Sequence, residues 1–190
     1  MLSELKPALR MTLVLAVVTG LVYPLLVTAL AGVLLPYQAS GSLIVRNGTV
    51  IGSELIGQSF SQARYFQPRP SAAGTTGYDP TASGGSNLGP LDRRLVERIK
   101  DTATRLRVEN PARPVPVDLV TTSGSGLDPH ITPAAAEFQV PRVAGARGLA
   151  AEQVRELVRH ETEGRQWGIL GEPRVNILRL NLALDGVPAR

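Results

Sequence analysis

The sequence predicts an α+β protein: one N-terminal transmembrane helix followed by a single soluble domain with a small sheet and about three helices. Three observations predict it. Residues 11–35 carry no charge, and as a helix they would reach roughly 37 Å, more than a hydrocarbon core of about 30 Å. Beyond them, several stretches show apolar residues at helical spacing and others alternate around turn residues. Finally, 190 residues with 43% apolar content fill one core but not two full-sized domains.

Composition removes several function classes. Twenty basic against 16 acidic side chains leave a net charge of +4 without a dense cluster, which argues against a nucleic-acid surface. The absence of cysteine excludes disulfides, thiolate zinc sites and cysteine nucleophiles.

The apolar run is longer than the roughly 7–15 residues of a signal-peptide core, and a cleavage site at its end would place Pro36 or Tyr37 where small residues are needed. An uncleaved anchor is expected. Lys6 and Arg10 precede the span, whereas the next basic residue is Arg46, so the positive-inside rule puts residues 1–10 in the cytoplasm and residues 36–190 outside it. In a bacterium that means the inner membrane and the periplasm. Within the span, Thr12, Ala16, Gly20, Pro24, Thr28 and Gly32 recur every fourth residue. Small residues in such a row let another helix approach closely. Because four residues overshoot a helical turn, the row drifts, and its middle from Ala16 to Thr28 is expected to meet a partner. Pro24, which supplies no N–H to the Gly20 carbonyl, predicts a kink.

After the anchor, Asn47-Gly48 between Leu43–Val45 and Val50–Ile51 predicts a hairpin. Residues 53–90 are rich in Gly, Ser, Thr and Pro, and Phe60, Tyr65, Phe66 and Tyr78 read as anchors of ordered loops. Helices are expected over Leu91–Val108, from Thr132-Pro133 through Ala134–Ala136 until Pro141 breaks or bends it, and over Leu149–Glu163. Alternation of Leu178, Leu180, Leu182 and Leu184 predicts a closing strand over Val175–Leu184, and Trp167, the sole tryptophan, is expected to pack in the core.

Chemistry-bearing motifs are sparse. Ser83, Gly84, Gly85, Ser86 and Asn87, ahead of a helix, form a Gly-rich opening that would turn N–H groups to an anion, but the Lys-Ser/Thr pair of a phosphate loop is absent and a turn with a helix cap is favoured. Ser123, Ser125, Asp128 and His130 invite a membrane-anchored serine hydrolase, with His160 as a remote partner. Neither serine has the Gly-x-Ser-x-Gly spacing of a nucleophile elbow. Asp128 and His130 supply two metal ligands without a third nearby, so structural turns are preferred there and no metal is expected. Asp128, Pro129 and His130 are retained as a partner-facing loop, because ordered polar loops carry contacts.

Several stretches together resemble one family along the whole chain. They are Gly52-Ser53-Glu54-Leu55-Ile56-Gly57-Gln58-Ser59-Phe60, Tyr65-Phe66-Gln67-Pro68-Arg69-Pro70-Ser71-Ala72, Tyr78-Asp79-Pro80 leading into Ala82–Pro90, Val117–Ile131, Gln139–Ala144 and Asn176–Asp185. They resemble the C subunit of the bacterial Kdp potassium-transporting P-type ATPase, the KdpC family. The resemblance implies an accessory subunit without catalytic activity of its own. Its partners would be a potassium-translocating subunit, a P-type ATPase subunit and a small single-helix subunit. It further implies a catalytic chaperone that raises the ATP affinity of the hydrolysing subunit, or alternatively a periplasmic domain that caps or filters the ion entrance. No cofactor of its own is implied, ATP belonging to the partner ATPase subunit. A domain outside the cytoplasm cannot touch ATP on a cytoplasmic head, so an effect on ATP affinity would travel through the packed helices. Direct nucleotide contact at Ser83–Asn87 is the alternative. A freestanding binding module held at the membrane is a third reading.

Overall fold

The computed structural model describes residues 3–187. The first two residues of the expected cytoplasmic segment and the last three of the expected soluble domain lie outside the described residues. The chain divides into two compact units, one ending at Ser53 and the other beginning at Glu54.

In the first unit, α1 (Leu5–Val17) and α2 (Tyr23–Leu34) are joined by a π-helical turn over Val18–Val22. Together they form a helix of 30 residues, long and apolar enough to cross a membrane. The π turn has a local cause. Pro24 offers no N–H to the Gly20 carbonyl, the Tyr23 N–H reaches back five residues to Val18 O, and the Thr19 hydroxyl donates to Leu15 O at 2.7 Å. A short α3 (Pro36–Ala39) leads into a hairpin of β1 (Leu43–Arg46) and β2 (Thr49–Ser53), paired from Leu43↔Ser53 to Arg46↔Thr49 with a register shift at Ile44/Val45. Its turn residues Asn47 and Gly48 have φ of +53° and +76°, the positive values that this pair was expected to supply.

The second unit is built around α5. Its elements are α4 (Arg93–Glu109), β3 (His130–Ile131), α5 (Pro133–Arg147), α6 (Ala151–His160), β4 (Thr162–Glu163), β5 (Arg174–Asn176) and α7 (Ile177–Asp185), with short 3-10 turns at Pro80–Ala82 and Val117–Leu119. The three strands form an antiparallel sheet in the order β3-β5-β4. α5 begins as expected, with the Thr132 hydroxyl accepting from Ala135 N–H at 3.1 Å and Pro133 in its first turn. Ala135, Ala136, Phe138, Val140, Val143 and Ala144 of α5 pack with Phe66, Leu106, Val154, Val158, Val175, Ile177, Leu180 and Leu184.

Three expectations are corrected, and that of a break or bend at Pro141 is narrowed. The segment after Asn176 is a helix, not the end of a strand: its buried residues are Ile177, Leu178, Leu180, Asn181 and Leu184, a helical spacing, and the Asn176 side chain caps it by accepting from Arg179 N–H. Pro141 does not break α5, which runs on to Arg147. Pro141 is exposed, so the carbonyl that loses its donor lies on a side open to water. α6 stops at His160 because Thr162 and Glu163 pair with β5. Trp167 is 88% exposed rather than packed in the core.

Two buried amides do the work of an edge strand. Asn181 Oδ1 accepts from Phe66 N–H at 2.9 Å and its Nδ2 donates to Phe66 O at 3.0 Å. Gln139 holds the next residue in the same way, accepting from Gln67 N–H at 2.7 Å and donating to Gln67 O at 3.0 Å. These bonds satisfy a loop backbone that crosses the core without a ladder partner. They seat Phe66, fully buried, and bring Tyr65 against Phe60 with ring centroids 5.6 Å apart. The expected role of the aromatic anchors is thereby met.

Candidate functional site

The loops singled out in the sequence converge in the second unit. Ser83–Asn87 lies against the segment ending at Asp128: Gly84 N–H donates to Ser125 O at 2.8 Å, the Ser83 hydroxyl to the same carbonyl at 3.0 Å, and the Thr122 and Ser86 hydroxyls are 3.5 Å apart. Gly126 sits where the loops press closest. Its φ is +69°, and a Cβ there would lie 2.7 Å from Gly84 O and 2.8 Å from Ala73 N, distances that only a glycine avoids.

Arg69, which no motif singles out on its own, organises this cluster. Its guanidinium donates to Asp128 Oδ2 at 3.0 Å and to Thr122 O at 3.3 Å, with Thr121 O and Oγ1 at 3.5 Å. Its carbonyl accepts the Tyr78 hydroxyl at 2.6 Å. The two flanking prolines were the available signal, since they fix the backbone on both sides of the arginine. Ser71 completes the lock, donating to Gly126 O at 2.6 Å while accepting from Tyr78 N–H at 2.8 Å and Ala73 N–H at 3.1 Å.

The Asp128-Pro129-His130 corner opens onto a cleft of about 260 Å³ that also involves Arg69, Asp118 and Arg174. Burial works against the charge on Asp128 and is the largest single influence. Hydrogen bonds from the His130 ring and backbone, with the Arg69 charge and its hydrogen bond, outweigh it and hold the carboxyl below its ordinary pKa. Burial pushes the Tyr78 phenol up to about 12. Asp118, buried at the base of the loop, accepts from Thr132 N–H through Oδ2 at 2.8 Å.

The geometry bears on each chemical candidate. For the anion reading, the Gly84 N–H is already donated to Ser125 O, and the start of α4 is capped by the Asp92 carboxylate, which accepts from Arg94 N–H at 2.9 Å and places a negative charge at the helix N-terminus. For the hydrolase reading, the Ser123 and Ser125 hydroxyls are 3.4 Å from each other and Ser125 Oγ accepts from Leu127 N–H. His130 Nδ1 instead faces Asp128 Oδ1 at 3.5 Å, and His160, 81% exposed at its side chain, is with Glu161. Among the described residues, no three His, Asp or Glu side chains are placed to hold a metal ion.

The row in the first unit has a different geometry. Thr12, Ala16, Gly20, Pro24, Thr28 and Gly32 are all exposed, and a Cβ at Gly20 or Gly32 would meet nothing within 4 Å. Packing within this chain therefore does not require either glycine. The π turn also straightens the row. Twelve α-helical steps from Ala16 to Thr28 turn about 1200°, roughly 120° past three full turns, whereas one residue absorbed in a π turn leaves about 1100°, within some 20° of alignment.

Comparison with known proteins places this chain. The family model KdpC, described as K+-transporting ATPase, c chain, matches residues 5–186. The chain is 56% identical over 196 residues to the potassium-transporting ATPase KdpC subunit of Rhodopseudomonas palustris (strain BisB5), a match covering 97% of this chain and 98% of that protein. It is 56% identical over 198 residues to the subunit of the same name from Methylobacterium nodulans, covering 97% and 98%, and 55% identical over 186 residues to that from Koribacter versatilis, covering 98% and 96%. With its long apolar helix and its interlocked loops matched from end to end, this chain belongs to the KdpC family, the c chain of K+-transporting ATPases.

Proposed function

We propose that this chain is the accessory subunit of an ATP-driven potassium-uptake complex, anchored by its single helix in the bacterial inner membrane, with a cytoplasmic N-terminus and a periplasmic domain. It carries no catalytic step of its own. It assembles with the potassium-translocating, ATP-hydrolysing and small single-helix subunits and stabilises the complex through the Ala16–Thr28 row. Its effect on the ATPase subunit, a rise in ATP affinity, is coupling between conformational states carried by that helix packing rather than by contact with nucleotide.

The observation that carries this reading is the row of small residues itself, Thr12, Ala16, Gly20, Pro24, Thr28 and Gly32, all exposed on a helix long and apolar enough to cross a membrane, the composition that lets a neighbouring helix approach closely. The charge asymmetry of Lys6 and Arg10 against a first external basic residue at Arg46 supports the orientation. Gly20→Leu tests it. The substitution clashes with nothing in this chain, so the chain should still insert, while co-purification with the partner subunits falls by about tenfold, equivalent to ~1.4 kcal/mol. Undiminished co-purification contradicts a packing role for this face.

A further inference from the structure

The cleft beside the Asp128-Pro129-His130 corner is lined by two positive side chains, Arg69 and Arg174, against three negative ones, Asp118, Asp128 and Glu172. With His130 neutral, one negative charge is left over. Four of the five charges are matched: Arg69 donates to Asp128 Oδ2 at 3.0 Å, Arg174 pairs with Glu163 at 2.9 Å, and Glu172 pairs with Arg165 at 2.7 Å. Asp118 is the exception. It is 6% exposed and accepts one neutral donor, the Thr132 N–H, through Oδ2 at 2.8 Å. Its Oδ1 is buried with no hydrogen-bond partner among the described residues. A buried carboxylate is costly to keep unless a donor or counter-charge meets it.

We propose that this cleft binds a small monovalent cation, with the Asp118 carboxylate as its charged ligand and water completing its shell. Three features select that class. The uncompensated charge is a single one, and one positive charge cancels it. Arg69 and Arg174 in the same lining oppose a second positive charge, and among the described residues no three His, Asp or Glu side chains are placed to hold a metal ion, which leaves a divalent cation without the several protein oxygens it is usually given. The cleft, at about 260 Å³, is larger than a bare ion and has room for waters that the ion retains. Asp118 also ties its loop to the start of α5, because the Thr132 that it holds caps that helix. Occupancy therefore strengthens a contact with the core and is readable as thermal stability.

The test melts the full chain, in detergent and without partner subunits, in the chlorides of sodium, potassium, ammonium, magnesium and the bulky cation N-methylglucamine at equal ionic strength. At tenfold excess over its dissociation constant, a small monovalent cation should raise the melting temperature by about 3–6 °C above N-methylglucamine. Asp118→Asn should remove that difference. Equal melting in all five salts overturns the proposal, as does the same rise in Asp118→Asn. A rise with magnesium alone assigns the cleft to a divalent ion and overturns it too. Arg174→Gln is the second variant, and it leaves Asp118 in place. Removing one opposing positive charge should lower the half-saturating concentration of the monovalent salt about threefold, and an unchanged concentration contradicts a cation in this cleft. Because every arm uses the lone chain, failure here leaves membership of a multisubunit complex untouched.

Discussion

At the scale of single residues, the second unit depends on a few side chains that stand in for backbone. Asn181 satisfies both the N–H and the C=O of Phe66, so Asn181→Leu leaves two buried groups unpaired and should cost about 2–4 kcal/mol in a thermal or urea melt of the full chain. Gly126→Ala forces a Cβ to 2.7 Å from Gly84 O at a positive φ and should lower the melting temperature while separating the loops that Arg69 joins. Two ionisable residues make stability pH-dependent in opposite ways. Asp128 has a folded pKa below its ordinary 3.8, so its contribution is complete above that value and fades as pH falls through the folded one; Asp128→Asn should flatten the acid limb. Tyr78 rises from 10.0 to about 12 on folding, so its contribution is complete below pH 10 and is lost as pH climbs toward 12. For a partly exposed phenol this amounts to roughly 1–2 kcal/mol, and Tyr78→Phe should remove that loss from an alkaline stability profile.

At the scale of elements, what the sequence disclosed depended on whether a local rule met a competitor. Thr132-Pro133 and Asn47-Gly48 have one structural meaning each, and α5 and the β1–β2 turn begin where those pairs stand. The Leu178–Leu184 run obeys two rules. Its alternation suits a strand, but Asn176 as a cap and the leucines' own helix preference favour α7, and burial of Ile177 and Asn181, with Leu182 only half-buried, follows the helical face rather than the alternation. Asn176→Ala should therefore cost about 1 kcal/mol through the lost cap, and more because its Nδ2 also donates to Glu54 O. Trp167 was misjudged because composition says that a tryptophan is buried on average, whereas only the turn geometry says where it points. Of the candidate site, both loops were visible, but their docking on each other was not. It depends on Arg69, whose guanidinium partners are 52 to 59 residues away in sequence, and on Gly126, whose neighbours Gly84, Ala73 and Ser71 are 42 to 55 residues away.

At the scale of the whole molecule, one unit carries a long apolar helix whose small-residue row is brought into line by a π turn, and the other carries loops locked by one arginine. Both suit the accessory role proposed above, in which the row is the route of influence on the ATPase subunit. That route requires the second unit to lie outside the cytoplasm, and this is the claim most directly open to measurement. A single cysteine introduced as Ser83→Cys, in a chain that has no other, is treated in intact cells with a thiol reagent that reaches the periplasm but does not cross the inner membrane. The account predicts labelling in intact cells. Protection that disappears only when the cells are lysed would place the domain beside the cytoplasmic ATP site and contradict it.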